Sequence, residues 1–131
     1  MIKIEHIAIW CNDIERLRSF YEEYFAAACN ETYQNPGKRL ETCFLTFPGG
    51  GVRIELMQRP DVHTPTPDDR LLRMGYAHIA FSLGTRQRVN DLTARLKKAG
   101  YVHLDGPRTT GDGYYESTFL DPERNVIELT V

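Results

Sequence analysis

Hydrophobic and polar positions alternate at the start of the chain and again past its middle. Residues 3–10 place isoleucines on one side and His6 on the other, and residues 76–83 place an isoleucine and a phenylalanine opposite His78. A period of two is that of a β-strand with one buried face. The pattern therefore predicts a strand in each half of the chain, with a histidine on the side away from the apolar residues.

Each of these strands is followed by an amphipathic helix. Apolar residues recur at helical spacing over residues 13–28, after an Asn12-Asp13 pair that is suited to cap the helix. In the second half, Thr85 is placed to cap a helix whose apolar stripe ends at Gly100. Both helices should lay their apolar stripe on the strands of their own half.

Further strands complete each half of the chain. Between the halves, residues 59–75 contain three prolines and have little periodicity, which predicts a linker. The predicted strands are 41–48 and 51–58 in the first half, and 101–105, 114–121 and 124–131 in the second.

The two halves are copies of one module. His6-Ile-Ala-Ile corresponds to His78-Ile-Ala-Phe at an offset of 72 residues, and Ile-Glu55-Leu corresponds to Ile-Glu128-Leu at an offset of 73. A module of this size has a marginal core by itself, so two modules should pack together within a chain or across a dimer. We expect one domain over 1–131, made of module one at about 1–58, the linker at about 59–75 and module two at about 76–131.

The repeat copies a histidine in the first strand and a glutamate in the last strand of each half. His6, Glu55, His78 and Glu128 all lie opposite the apolar residues of their strands. Two neutral imidazoles and two carboxylates suit one divalent transition metal, such as Ni, Zn, Co, Fe or Mn, better than Ca or Mg. The pattern predicts a metal site, although a hydrogen-bonded polar cleft without metal would preserve the same residues.

Composition narrows the partners and the compartment. The 131 residues carry a formal net charge of −2, so nothing marks a surface for nucleic acid or anionic membranes. No apolar stretch approaches the ~20 residues that span a bilayer. The three cysteines, Cys11, Cys29 and Cys43, have no metal-type spacing, and we expect small packing residues in a reduced, cytoplasmic protein.

These motifs resemble those of the vicinal oxygen chelate superfamily, the glyoxalase/bleomycin-resistance/dioxygenase group. The resemblance covers nearly the whole chain, although Asn125 stands where the group often has glycine. It implies an α+β fold in which two βαβββ modules form an eight-stranded curved open sheet around a metal cleft, with the helices on the outer face. The matching segments are His6-Ile-Ala-Ile, Phe20-Tyr21 in the first helix, Ile-Glu55-Leu, Gly75 to Phe81, and Phe119 to Leu129.

Within this group, the His, Glu, His, Glu set is similar to that of glyoxalase I (lactoylglutathione lyase). The likeness implies a metal-dependent lyase or isomerase that acts on a small carbonyl substrate through a metal-stabilised enediolate. It favours Glu128 as the catalytic base, with Glu55 second. Two alternatives stay open: a non-catalytic, antibiotic-type binding protein, and an epimerase that acts on an acyl-CoA thioester.

Three residues are candidates for contact with the small-molecule substrate. Trp10 and Arg59 stand where bacterial glyoxalase I has an arginine and an asparagine that contact glutathione, so the likeness puts glutathione in doubt. Trp10 instead offers an aromatic wall, although packing at a module interface explains it equally well. Tyr114 follows Gly111-Asp112-Gly113, which resembles a loop over the cleft mouth in this group.

A homodimer is expected.

Overall fold

The computed structural model describes residues 1–30, 32–64, 66 and 74–131. The chain divides into two compact units, Met1–Thr64 and Pro65–Val131. Each unit is described by itself. The predicted linker over 59–75 lies partly outside the described residues, and the assignment of both units to one domain stays a prediction.

The first unit is a five-stranded sheet with one helix. Strand β1 runs parallel to β5, and the other pairings are antiparallel, in the order β1-β5-β4-β2, with β3 also paired to β4. Its elements are β1 His6–Trp10, α1 Ile14–Phe25, β2 Ala28–Cys29, β3 Tyr33–Asn35, β4 Leu40–Thr46 and β5 Arg53–Gln58.

The second unit is a four-stranded sheet with one helix. The strand order is β6-β9-β8-β7, in which β6 runs parallel to β9 and the other pairs are antiparallel. Its elements are β6 Ile79–Ser82, α2 Arg86–Lys98, β7 His103–Thr109, β8 Tyr115–Leu120 and β9 Val126–Thr130.

The α+β class is confirmed, and the second unit has the predicted βαβββ order without additions. The structure has one strand more than the expected eight, because four strands follow α1 in the first unit instead of three, and two of these four, β2 and β3, are short. These strands have two and three residues, too few for an alternating pattern to be visible in the sequence. The nine strands of the described residues form two sheets, one in each unit.

The helices begin at the predicted caps. The Asp13 side chain accepts a hydrogen bond from the Arg16 amide (3.0 Å), and Thr85 does the same for the Arg88 amide (3.2 Å). Helix α1 ends at Phe25, three residues before the predicted end, because Ala26 adopts a left-handed conformation with φ of 53°. The Ala27 amide then donates to the Tyr21 carbonyl, which closes the helix.

Each helix covers one face of its own sheet with apolar side chains. In the first unit, Leu17 and Tyr21 of α1 are fully buried, as are Leu45 and Leu56 of the sheet. Burial of one such side chain contributes about 1.5–3 kcal/mol. The buried partners in the second unit are Val89 and Leu96 of α2 with Phe119, Ile127 and Leu129 of the sheet. In both units the histidine and glutamate of the repeat lie on the opposite face.

The expectation of three unpaired cysteines is wrong. The structure joins Cys29 to Cys43 in a disulfide, with the Cα atoms 6.3 Å apart, within the usual range for such a bridge. The cause is the pairing of β2 with β4, which places residues 14 positions apart on adjacent strands. Cys11 is buried, as expected, and its thiol donates to the Met57 carbonyl at 3.4 Å.

Both helices of the described chain are too short and too polar to cross a lipid bilayer.

Candidate metal centre

In the first unit, the two predicted ligands lie on adjacent parallel strands. Ala8 of β1 is in register with Glu55 of β5, so Glu55 and His6 share the face that α1 does not cover. Their donor atoms approach each other: Nε2 of His6 is 3.5 Å from Oε2 of Glu55. The sequence separates these residues widely, and the parallel pairing of β1 with β5 brings them together.

The second unit builds the same arrangement from the same elements. Ala80 of β6 is in register with Glu128 of β9, which is the counterpart of the Ala8–Glu55 pairing. Nε2 of His78 is 3.2 Å from Oε2 of Glu128. The internal repeat in the sequence therefore corresponds to a repeated His–Glu pair in the structure, with the same strand register.

The two kinds of side chain differ in exposure. Glu55 and Glu128 are 17% and 18% exposed, whereas His6 and His78 are 39% and 43% exposed. The carboxylates sit on inner strands of their sheets, while the histidines belong to or adjoin the edge strands β1 and β6. The imidazoles are thus the more accessible donors.

The distances fit two ligands of one divalent metal. Such an ion lies about 2.0–2.2 Å from nitrogen and oxygen ligands, so two donors are about 3.0 Å apart at a right angle and about 3.4 Å apart at the tetrahedral angle. The separations of 3.5 and 3.2 Å require little movement to reach these values. Imidazole nitrogen with carboxylate oxygen is also a donor set for first-row transition metals.

Each pair is a partial ligand set. Across the parts of the chain that the structure describes, no group of three or more His, Cys, Asp or Glu side chains is placed to hold a metal ion. Each unit by itself therefore offers two donors to a metal ion, one histidine and one glutamate. The convergence of the two pairs stays a prediction.

The Nδ1 side of the His6 imidazole contacts a residue that the sequence did not single out. Nδ1 of His6 donates a hydrogen bond to Oε2 of Glu5, and the Arg53 guanidinium forms an ion pair with Oε1 of the same carboxylate. The His6 contact and the Arg53 contact both lower the pKa of Glu5 below its usual value. Glu5 is therefore an acceptor with a negative charge at neutral pH.

Phe44 completes the surroundings of His6. The Phe44 ring packs edge-on against the imidazole, with ring centroids 5.3 Å apart and planes at 87°. The Arg53 guanidinium lies over the same ring, 4.2 Å from its centroid, which is the geometry of a cation–π contact. His6, Glu5, Arg53 and Phe44 thus form a closed set of contacts, called here the His6 network.

Glu116 is the further acidic residue near the second pair. It lies on β8 in register with Thr130, and its neighbour on the same face, Thr118, is in register with Glu128. Burial and the nearby charges of Glu128 and Asp112 raise the pKa of Glu116 above its usual value. A second carboxyl group therefore lies on the face that carries Glu128.

The three candidate substrate-binding residues differ in their surroundings. Trp10 lies on the same face of β1 as His6, in register with Met57, and is 41% exposed. Arg59 forms two hydrogen bonds with Asp61, at 2.9 and 2.6 Å, so its guanidinium already has a partner within the chain. Tyr114 has an exposed side chain in the turn between β7 and β8.

The chain belongs to the Glyoxalase/Bleomycin resistance protein/Dioxygenase superfamily, whose family model matches residues 3–129. The match spans both units and includes all four residues of the His–Glu pairs. The class predicted from the sequence motifs is confirmed.

Similarities to individual proteins are distant but extend over nearly the whole of this chain. The metallothiol transferase FosB of Shouchella clausii is 28% identical over 96% of this chain and 77% of its own length. Glyoxalase I of Leishmania major superposes with a TM-score of 0.78 at 20% identity, over 99% of this chain and 86% of its own. A mutant of the fosfomycin resistance protein FosX from Listeria monocytogenes, solved with Mn(II) and 1S,2S-dihydroxypropylphosphonic acid, gives 0.75 at 20% identity, over 99% and 93%.

The residues that the sequence analysis missed had only weak signals. Glu5 and Arg53 flank the two repeated segments, but neither has an acidic or basic counterpart in the other half. The repeat identifies residues that occur in both halves, and Glu5 and Arg53 occur in the first half only. Phe44 and Glu116 lie on central strands, where the sequence gives no sign of the neighbouring strand.

Proposed function

We propose that the protein is a metal-dependent lyase or isomerase that acts on a small carbonyl compound. The observation that carries the proposal is the repeated His–Glu pair, with donor atoms 3.5 Å apart in one unit and 3.2 Å apart in the other. Membership of the superfamily supports it, because relatives include a glyoxalase I and a fosfomycin-resistance protein solved with Mn(II).

His6, Glu55, His78 and Glu128 hold the metal in this proposal. The two carboxylates neutralise the charge of a divalent ion, and the imidazoles favour Ni, Zn, Co, Fe or Mn over Ca and Mg. The bound ion supplies Lewis-acid polarisation of the substrate carbonyl.

The catalytic base is a carboxylate at this site. Glu128 removes the proton next to the substrate carbonyl and returns it to the product, and Glu55 is the second candidate for this role. Both side chains are mostly sheltered, which favours proton transfer over exchange with water. Glu128→Gln should retain the fold and lose turnover, and full activity in that variant would contradict the assignment.

The substrate is a small molecule that reaches the faces carrying these pairs. Trp10 offers an aromatic wall at the other end of the strand face that carries His6, and Tyr114 is placed in a turn next to β8. Arg59 binds an anionic group only if its ion pair with Asp61 opens. Of the three candidate substrate-binding residues, Trp10 therefore has the strongest support and Arg59 the weakest.

Metal content is the direct test. Protein purified without a histidine tag should contain close to one Ni, Zn, Co, Fe or Mn ion per site by mass spectrometry, and His78→Ala should lose it. Turnover of α-keto aldehydes and acyl-CoA thioesters by the loaded protein then separates lyase from epimerase chemistry. A wild-type protein that stays metal-free after reloading would contradict the proposal.

A second candidate function is the binding of a small aromatic molecule without turnover. The exposed Trp10 side chain on the face of His6 favours it. In that case the His–Glu pairs serve as a hydrogen-bonded polar surface. A thermal-shift screen with aromatic compounds, with and without metal, distinguishes the two, because stabilisation that is independent of metal supports the binding protein.

A further inference from the structure

The two histidines are copies in the sequence, but their surroundings are not copies. At the offsets of the repeat, Glu5 corresponds to Ala77 and Arg53 corresponds to Val126. Phe44 is in register with Glu55, and the residue in register with Glu128 on the equivalent strand is Thr118. The residues that surround His6 in the His6 network are therefore replaced in the second unit by alanine, valine and threonine.

We propose that Glu5 is a positioning residue that orients His6 as a metal ligand, and that His78 has no such support from the described residues. This inference rests on the proposed function for its consequence, metal affinity. The positioning role of Glu5 is argued only from contacts within the first unit, and the comparison with His78 uses the equivalent positions of the second.

Two carboxylates face the His6 ring, and the shorter contact, with Glu5, selects the tautomer. An ionised carboxylate only accepts hydrogen bonds, so Nδ1 of His6 must carry the proton that it shares with Glu5. In the neutral ring the lone pair then lies on Nε2, the atom that faces Glu55 at 3.5 Å. A metal ligand needs this arrangement, with one ring nitrogen held by a hydrogen-bond acceptor and the other free to coordinate.

Arg53 and Phe44 hold Glu5 and His6 in place. The two oxygens of the Glu5 carboxylate have different partners, since Oε2 accepts from His6 and Oε1 pairs with Arg53. The Arg53 guanidinium is itself fixed over the Phe44 ring, and that ring packs against the imidazole. Rotation of His6 would break contacts with two residues, whereas the equivalent positions around His78 hold residues that cannot form them.

The first test reads the tautomer without metal. Nitrogen-15 NMR of the histidine rings in metal-free protein above pH 8 should show His6 protonated on Nδ1. In Glu5→Ala, His6 should move toward the Nε2-protonated form, while His78 stays unchanged as an internal control. Glu5→Gln keeps an acceptor oxygen and should preserve the wild-type tautomer. An unchanged His6 spectrum in Glu5→Ala would overturn the proposal.

The second test measures the consequence for binding. Titration with Zn²⁺ should show an affinity about 10-fold to 100-fold lower in Glu5→Ala than in the wild type, the loss expected when a partner behind a metal ligand is removed. Glu15→Ala is the matched control, because it removes an exposed carboxylate that also pairs with an arginine, on α1. Its affinity should equal that of the wild type.

The two failures are distinguishable. A wild-type protein that binds no Zn²⁺ overturns the proposed function and the affinity claim, while the ring-nitrogen spectra still support or overturn the orientation of His6 by Glu5. A protein that binds Zn²⁺ equally well with and without Glu5 overturns the positioning role and leaves the proposed metal site standing.

Discussion

Glu116 shows how a single residue responds to the acidic face of the second unit. Burial and the charges of Glu128 and Asp112 raise its pKa above the ordinary 4.5. The folded protein therefore holds this proton to a higher pH than the unfolded chain does. The contribution of Glu116 to the free energy of unfolding therefore decreases as the pH rises from 4.5 through the raised pKa of the folded protein. At higher pH the contribution stays at this lower level.

Replacement of Glu116 by glutamine should therefore stabilise the metal-free protein at neutral pH. We expect Glu116→Gln to raise the Tm at pH 7 and to leave it nearly unchanged at pH 4, where the wild-type carboxyl is largely protonated in both states. Thermal melts at the two pH values check this, with Glu15→Gln as the control for the loss of one surface charge. A larger stabilisation at pH 4 than at pH 7 would contradict the sign.

At the scale of elements, both His–Glu pairs depend on the same arrangement of two parallel strands and a helix. A parallel pair of strands, β1 with β5 or β6 with β9, places a histidine and a glutamate on the same face, and one helix covers the other face. Register matters because a slip of one residue would turn every side chain of a strand to the opposite face. The register that the two units share, Ala8 with Glu55 and Ala80 with Glu128, thus keeps both pairs intact.

The irregular pairing of β7 with β8 makes one glycine indispensable. The register shifts between Asp105 and Arg108, and Gly106 lies there with φ of +80°. A Cβ at Gly106 would be 2.3 Å from the Glu116 carbonyl oxygen, so the strands must move apart to accept it. The positive φ adds strain for any residue with a side chain.

We expect Gly106→Ala to lower the free energy of unfolding by more than about 1 kcal/mol, which lowers the Tm by several degrees. Gly111→Ala is the matched control, because a Cβ there meets nothing within 4 Å and its φ is not in the left-handed region. Comparison of the two melting curves tests the close approach, and equal Tm values would contradict it.

At the scale of the whole molecule, the two His–Glu pairs predict a link between metal and assembly. If the pairs that share an ion belong to different chains, metal binding stabilises a homodimer by mass action. Sedimentation should then show dimer in the presence of Zn²⁺ and a shift toward monomer with a chelator, and His78→Ala should resemble the chelated protein. If the pairs of one chain share the ion, the sedimentation coefficient should not respond to the chelator.

The sequence by itself determined the longer strands and both helices of the described chain, the faces that they bury, and the repeat. Strand and helix periods are fixed by backbone geometry, so the alternation around His6 and His78 and the stripes of α1 and α2 were readable from neighbouring residues. The repeat then identified Glu55 and Glu128 as equivalent positions. These predictions depend on local spacing, which the sequence records directly.

Only the tertiary structure decided which strands are neighbours. The pairing of β2 with β4 brings Cys29 to Cys43, and the pairing of β1 with β5 brings Arg53 to Glu5. These contacts join residues that are distant along the chain, and no local period encodes them. The difference between His6 and His78 follows for the same reason, because it depends on what packs around two copies of one motif rather than on the motif itself.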